Sequence, residues 1–114
     1  MSPMKIYCAG PYSADTEVGR LDNVNKAFDV ALELMKKGHY PYIPHLSHFL
    51  DVYAQSKEIN LSWDYWMQFD DAWVLGCDAL YYIASSRGAD IELARAKELG
   101  IKIFISLDEV EAVK

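Results

Sequence analysis

DALYYIASSRGADIE, residues 78–92, is the stretch of sequence that decides the fold. Its apolar first half predicts a buried strand over 78–83, and its second half predicts a turn at 85–88 that leads into a helix over 89–99. The apolar segment 101–105 then predicts another strand. A strand, a tight turn and a helix that returns to a further strand form the unit from which parallel sheets are built.

The same alternation precedes this stretch. The spacing of apolar residues predicts a first strand at 4–9 and a second at 40–43. It predicts a crossover helix with apolar positions from Val24 to Met35, helices at 45–55 and 62–76, and a short helix from about Leu107. We therefore expect residues 1–114 to form a single α/β domain of three layers. Its parallel sheet should have four to five strands in flavodoxin- or Rossmann-like order, with ligands at the carboxyl ends of the strands.

Composition excludes several classes of protein. Hydrophobic residues make up 52% of the chain, which is too many for a disordered protein. The net charge of −6 disfavours binding to nucleic acid or to anionic membranes. A small anionic ligand remains compatible with this charge, because an arginine, backbone amides and a helix N-terminus can bind phosphate locally.

The cysteine content and the N-terminus indicate the compartment. Cys8 and Cys77 each adjoin an apolar run, so we expect both to be small core residues in a reducing environment. No apolar signal core precedes the first strand, and no apolar stretch reaches membrane-spanning length. These features predict a cytoplasmic protein.

The turn Ser85-Ser86-Arg87-Gly88 and the nearby Glu92 are the first candidates for a functional site. The turn can bind phosphate or carboxylate through its hydroxyls, its amides and Arg87, although polar turns that only cap a helix are equally common. We expect Glu92 in the first turn of the helix, where the helix dipole favours an ionised, nucleophilic carboxylate. Acidic residues at that position also stabilise helices without any other role.

Other carboxylates could act with Glu92 as a general acid. Asp78 is the favoured candidate, because an acid leading into a buried strand is costly unless it is paired, hydrogen-bonded or functional. We interpret Asp70 and Asp71 as part of a solvated helix face.

Taken together, these segments resemble the nucleoside 2-deoxyribosyltransferase family. The resemblance is carried by residues 6–12, 77–80 and 86–92, and it extends to Asn23, Pro44-His45 and Gly100-Ile101, so it covers nearly the whole chain. It implies that Glu92 attacks the anomeric carbon of the sugar to form a covalent glycosyl-enzyme. It further implies that Tyr7 positions Glu92, that Asp78 meets the sugar or base, and that no metal or organic cofactor takes part.

The resemblance also implies a binding surface for a nucleoside or nucleotide. The residues that would form this surface are Gly10, Pro11, Tyr12, His45, His48, Ser85, Ser86, Arg87 and Gly88. In the transferases an acid that binds the free 5′-hydroxyl stands six places before the nucleophile, whereas this chain has Ser86. A serine there is similar to the related 2′-deoxynucleoside 5′-monophosphate N-hydrolases, where it binds phosphate. Asp90 departs from the family glycine and would repel phosphate unless it caps the helix or faces solvent.

Two further groups allow more than one interpretation. His45, His48 and Asp51 have a spacing that could bind a metal from one helix face, but contacts of a histidine with the base are the favoured interpretation. Trp63, Tyr65, Trp66, Phe69 and Trp73 are more typical of a core or an oligomer interface than of a base-stacking platform. The resemblance implies a homodimer or a larger homo-oligomer.

The leading hypothesis is cleavage of an N-glycosidic bond in a nucleoside or, preferably, a nucleoside 5′-monophosphate, with water or a second base as acceptor. A non-catalytic nucleotide-sensing domain of the same fold is the alternative from another class. An oligomeric scaffold is the third hypothesis, and only the tryptophan-rich segment favours it.

Overall fold

The computed structural model describes residues 2–114, and within them it has four strands and four α-helices. The strands are β1 (Lys5–Ala9), β2 (Tyr40–Tyr42), β3 (Ala79–Tyr82) and β4 (Lys102–Phe104). The helices are α1 (Glu17–Lys36), α2 (Ser47–Ser56), α3 (Trp63–Leu75) and α4 (Arg87–Leu99), with short 3₁₀ turns at Pro44–Leu46 and Leu107–Glu109. The last turn stands where the sequence predicted a short helix.

The four strands form one parallel sheet in the order β2-β1-β3-β4. In the register of the central pair, Tyr7 lies opposite Leu80. This order is that of flavodoxin-like folds, and the predicted α/β fold class with its parallel sheet is confirmed. The sheet has four strands, the lower of the two numbers, four or five, that the sequence predicted.

The strands are buried on both faces, which produces three layers. Alternate residues of β1 point in opposite directions, so Ile6 and Cys8 join the apolar cluster on the α1 side, while Tyr7 and Ala9 join the one that includes residues of α3 and α4. Cys8 is fully buried and Cys77 nearly so, both as free thiols, which confirms their prediction as core residues.

Local sequence signals explain where the helices begin and end. The hydroxyls of Ser62 and Ser86 accept hydrogen bonds from the backbone N–H groups of Tyr65 and Ala89, so each serine caps its helix. Gly100 ends α4 with a φ of +70°, a conformation that favours glycine. Because Ser86 is the cap, α4 begins at Arg87, two residues before the predicted start.

Within residues 2–114 no helix combines the length and the apolar character needed to cross a membrane. Helix α2 nevertheless carries several exposed apolar side chains, among them Phe49, Leu50 and Tyr53.

Candidate functional site

A cavity of about 330 Å³ lies beyond the carboxyl ends of β1, β2 and β3, where ligands are expected in such sheets. Seven of the residues predicted from the sequence line it: Gly10, Tyr12, His45, Ser86, Arg87, Gly88 and Glu92. They come from three loops and the start of α4, so chain folding brings together groups that are up to 82 positions apart, from 10 to 92.

Glu92 is the most deeply buried carboxyl group of the site. Only 6% of the residue is exposed, and its Oε2 accepts a 2.6 Å hydrogen bond from the hydroxyl of Tyr7, which is fully buried on β1. This bond leaves Oε1 as the oxygen available to a ligand. Tyr7 itself does not line the cavity, and its hydroxyl contacts Glu92.

Burial controls the ionisation of Glu92. Desolvation raises the pKa of its carboxyl to about 8, against the opposing effect of the Tyr7 hydrogen bond and with further increases from Asp70 and Asp71. Since α4 begins at Arg87, Glu92 lies in the second turn of the helix and not in the first. The prediction that the helix dipole keeps this group ionised was therefore wrong, because the dipole acts mainly within the first turn and desolvation dominates here.

Asp70 on α3 is the second carboxyl group of the cavity, and the sequence interpretation missed it. Its Oδ1 is buried and has no hydrogen-bond partner among residues 2–114, and burial raises the pKa of this carboxyl to about 7. The sequence does contain a signal that Asp70 faces inward. Trp66, Asp70 and Val74 follow each other at intervals of four, so they lie on one helix face, and Val74 is fully buried.

Asp71, the next residue, behaves as an ordinary surface group. Its Oδ1 accepts a 2.9 Å hydrogen bond from Nε of Arg95 in an ion pair between α3 and α4. The interpretation of these two acids as one solvated face therefore holds for Asp71 and fails for Asp70.

The structure does not bring Asp78, which was expected to meet the sugar or base, to this cavity. Asp78 is exposed and precedes β3, at the amino end of the sheet, whereas the cavity lies at the carboxyl end. Its carboxylate accepts a 2.9 Å hydrogen bond from the N–H of Lys5, and its own N–H donates to the carbonyl of Lys5. The backbone of Lys5 at the start of β1 thus satisfies the Asp78 carboxylate, which explains why an acid can precede the buried strand β3.

The Ser86 turn forms one wall of the cavity. Ser86 accepts from the N–H of Ala89, while the N–H groups of Arg87 and Gly88 stand at the start of α4, where no carbonyl of the helix can reach them. The Arg87 guanidinium stacks on Trp63, 4.3 Å from the ring centroid. Among residues 2–114 no carboxylate forms an ion pair with Arg87, so its charge is available to an anion.

Asp90 does not face this wall. Its carboxylate accepts hydrogen bonds from the Tyr82 hydroxyl at 2.6 Å and from the Ser85 hydroxyl at 2.8 Å, and these two bonds lower its pKa. The group is absent from the cavity lining. The predicted repulsion of phosphate by Asp90 is therefore weakened, and Ser85 uses its hydroxyl on Asp90 and not in the cavity.

The two histidines of the loop after β2 have different positions. His45 lines the cavity, and its Nε2 lies 3.0 Å from the carbonyl oxygen of Pro11. His48 lies behind the cavity, with Nδ1 2.7 Å from the Tyr12 hydroxyl and Nε2 3.0 Å from Oε1 of Glu17. Neither Pro11 nor His48 lines the cavity; both act on residues that do. In the described part of the chain no group of three acidic, histidine or cysteine residues is arranged to hold a metal ion.

Part of the aromatic cluster also belongs to the site. Trp63 and Trp66 line the cavity, whereas Trp73 stacks on Tyr42, which in turn stacks on Tyr7. The preferred interpretation of the cluster as core or interface was thus incomplete, because two of its members face the ligand space.

The fold and site define a three-layer parallel α/β protein in which two carboxyl groups, one buried and one half-buried, line a cavity at the carboxyl edge of the sheet. Residues 4–105 match the sequence model of the family described as Domain of unknown function (DUF4406), and the chain belongs to that family. Comparison with curated proteins finds none that matches this chain.

Proposed function

We propose that the protein cleaves the N-glycosidic bond of a nucleoside 5′-monophosphate through a covalent glycosyl-enzyme on Glu92. The observation that carries this proposal is a pair of carboxyl groups that line one cavity, the buried Glu92 and the half-buried Asp70, whose pKa values are raised to about 8 and about 7. The resemblance of residues 6–12 and 86–92 to the nucleoside 2-deoxyribosyltransferase family supports the same chemistry.

Each carboxyl group has a distinct part in the reaction. Oε1 of ionised Glu92 bonds to the anomeric carbon while the carbon–nitrogen bond to the base breaks and its electron pair stays on the base nitrogen. Asp70 gives its proton to the departing base. Water then attacks the glycosyl ester, Asp70 takes a proton from that water, and Glu92 is released as carboxylate. A second base in place of water would make the same reaction a transfer.

The preference for a nucleotide comes from the wall opposite the β2 side of the cavity. The first N–H groups of α4, the Ser86 hydroxyl and the guanidinium of Arg87, which forms no ion pair within residues 2–114, provide donors and positive charge in one place. A 5′-phosphate satisfies all of them, whereas a nucleoside hydroxyl can use only one or two.

The raised pKa of Glu92 also favours an alternative function, non-catalytic nucleotide sensing, because a protonated carboxyl is a poor nucleophile at neutral pH. The two functions differ in turnover. Calorimetry with a nucleotide that is bound but not cleaved by the wild-type protein would favour the sensor.

The direct test is incubation of the protein with deoxynucleoside 5′-monophosphates, ribonucleoside 5′-monophosphates and the matching nucleosides, followed by chromatography of free bases. We expect base release from a monophosphate, and loss of that release in Glu92→Gln. Asp22→Asn, on the exposed face of α1, is the matched control and should release base at the wild-type rate. Absence of base from every substrate, or full activity of Glu92→Gln, would refute the proposal.

We further propose that the protein works in the cytoplasm as a homodimer or larger homo-oligomer. The two free buried thiols support the compartment, and the exposed apolar side chains of α2 support the assembly. Light scattering of the purified chain tests the assembly, and a monomer at micromolar concentration would contradict it.

A further inference from the structure

The wall of the cavity formed by the loop after β1 and by the segment after β2 differs in chemistry from the Ser86 wall. Its polar side chains are Tyr12, Ser13, His45, Ser47 and Asp51. The two serine hydroxyls can donate as well as accept, so the selectivity of the wall depends on Tyr12, His45 and Asp51. The sheet order β2-β1-β3 places these residues on one side of the cavity and the Ser86 turn on the other. The hydrogen-bond partners of Tyr12, His45 and Asp51 within the protein leave each of these side chains as an acceptor for a ligand.

His45 lines the cavity and has one buried ring nitrogen without a hydrogen-bond partner among residues 2–114. A carbonyl oxygen can only accept, so the contact with Pro11 requires that Nε2 carries the hydrogen. Burial lowers the pKa of His45, which keeps the ring neutral and leaves Nδ1 as an unprotonated acceptor. The residue is 3% exposed, and Nδ1 has no hydrogen-bond partner among residues 2–114. A buried acceptor without a partner is costly, so a ligand donor is the natural complement.

Tyr12 is oriented by a chain of side chains behind the cavity. Glu17 can only accept, so we assign the ring hydrogen of His48 to Nε2, and in this tautomer Nδ1 accepts from the Tyr12 hydroxyl. Nε and Nη2 of Arg20 hold the other carboxylate oxygen of Glu17 at 3.1 and 2.9 Å. Burial raises the pKa of Tyr12, so its hydroxyl keeps the proton that it gives to His48. The Tyr12 oxygen can therefore interact with a ligand only by accepting a hydrogen bond.

Asp51 completes the acceptor wall and determines which end of a nucleotide lies there. Its two oxygens accept from Nε1 of Trp66 at 3.1 Å and from Nε2 of Gln55 at 3.0 Å, and a carboxylate can add only further acceptor capacity. Its charge opposes a phosphate on this side, whereas the Ser86 wall favours one. The base is therefore the part of the ligand that faces Tyr12, His45 and Asp51.

We infer that the substrate carries an exocyclic amino group on its base, and that Tyr12 and His45 select it by accepting hydrogen bonds from that group. The inference rests on the proposed function for the orientation of the ligand. A base that presents a carbonyl oxygen or a bare carbon to this wall leaves the buried acceptors without partners, which is the strongest form of discrimination that hydrogen bonding supplies.

The test is calorimetric binding to Glu92→Gln, which prevents turnover, with two ligands that differ by one group. These are deoxyadenosine 5′-monophosphate and purine 2′-deoxyriboside 5′-monophosphate, which lacks only the 6-amino group. We expect the amino ligand to bind roughly tenfold more tightly. Equal affinity for the two ligands, or binding of neither, would overturn the inference.

Two further substitutions test whether Tyr12 and His45 cause the preference for the amino ligand. Tyr12→Phe removes one oxygen, and His45→Gln keeps an N–H for the Pro11 carbonyl while removing the Nδ1 acceptor. Each should reduce the ratio of the two affinities several-fold and change the affinity for the purine analogue little. Equal weakening of both ligands would show a packing role and contradict the inference. If the amino preference holds while the wild-type protein releases no base, the proposed catalysis fails and the binding inference stands.

Discussion

The Tyr7 hydroxyl donates a 2.6 Å hydrogen bond to Oε2 of Glu92, joining two residues 85 positions apart in the buried layer between β1 and α4. The bond fixes one carboxylate oxygen and leaves the other to the cavity. Because it stabilises the ionised form of a carboxyl that burial otherwise keeps protonated, Tyr7 brings the pKa of Glu92 closer to neutrality. The carboxyl group of Glu92 therefore ionises at about pH 8, and the proposed nucleophile forms as the pH rises to that value.

Base release should have a bell-shaped dependence on pH. The reaction needs Glu92 ionised and Asp70 protonated, so the two carboxyl groups together must hold one proton. Because Asp70 has the lower pKa, this reactive arrangement is the minor form of that one-proton state. With pKa values of about 7 for Asp70 and about 8 for Glu92, both groups are protonated below this range and both are ionised above it. Measurement of kcat/KM from pH 5 to 10 tests this expectation. A profile that is flat between pH 6 and 9 would contradict it.

Asp70→Asn and Asp78→Asn should have opposite outcomes. Asp70→Asn removes the proton donor to the base and should lower kcat by about 10²–10⁴-fold on a natural base. Asp78→Asn changes an exposed group at the other end of the sheet and should leave kcat within about twofold. Steady-state kinetics of both variants measure the difference. A large loss in Asp78→Asn with a folded protein would restore Asp78 to the site and contradict the geometry described above.

Arg87→Met should affect nucleotides and spare nucleosides. The guanidinium stacked on Trp63 supplies the free positive charge of the Ser86 wall, so its loss should raise KM for a 5′-monophosphate by about tenfold or more. KM for the corresponding nucleoside should change little, because that ligand has no phosphate. Arg87→Lys, which keeps the charge, serves as the partial rescue. Equal increases in KM for the two ligands would exclude phosphate recognition by Arg87.

Glu92→Gln should stabilise the fold more at high pH than at low pH. The folded-state pKa of this acid is raised to about 8 from 4.5, so the native protein binds more protons than the unfolded chain between these values, and the free energy of unfolding falls as pH rises through that window. An amide has no such ionisation. We expect Tm of Glu92→Gln to exceed that of wild type by roughly 4 °C or more at pH 8.5 and by much less at pH 5. The same Tm difference at both pH values would contradict the raised pKa.

The fold could be predicted from the sequence because its signals are local. The apolar run at 78–83, the cap at Ser62 and the stop at Gly100 each depend on neighbouring residues only, and their alternation implies a parallel sheet. Helix α4 begins two residues before its predicted start, because the Ser86 hydroxyl caps the helix and Arg87 is its first residue.

The site could be predicted only in part, because its chemistry depends on contacts that the sequence does not display. The rule that ligands bind at the carboxyl ends of strands predicted the loops that line the cavity. The choice between Asp70 and Asp78 required the direction of β3 and the knowledge that the Lys5 amide satisfies Asp78. The ionisation of Glu92 required its burial, which outweighs the helix dipole. The partners of Asp90 are likewise tertiary contacts.

The central claim, that Glu92 is the nucleophile, is tested most directly by mass spectrometry of the protein quenched with acid during turnover of a deoxynucleoside 5′-monophosphate. The account predicts that the peptide containing Glu92 gains the mass of the sugar phosphate, and that Glu92→Gln gains none. Base release without any adduct on the protein, or an adduct on a different residue, would contradict it.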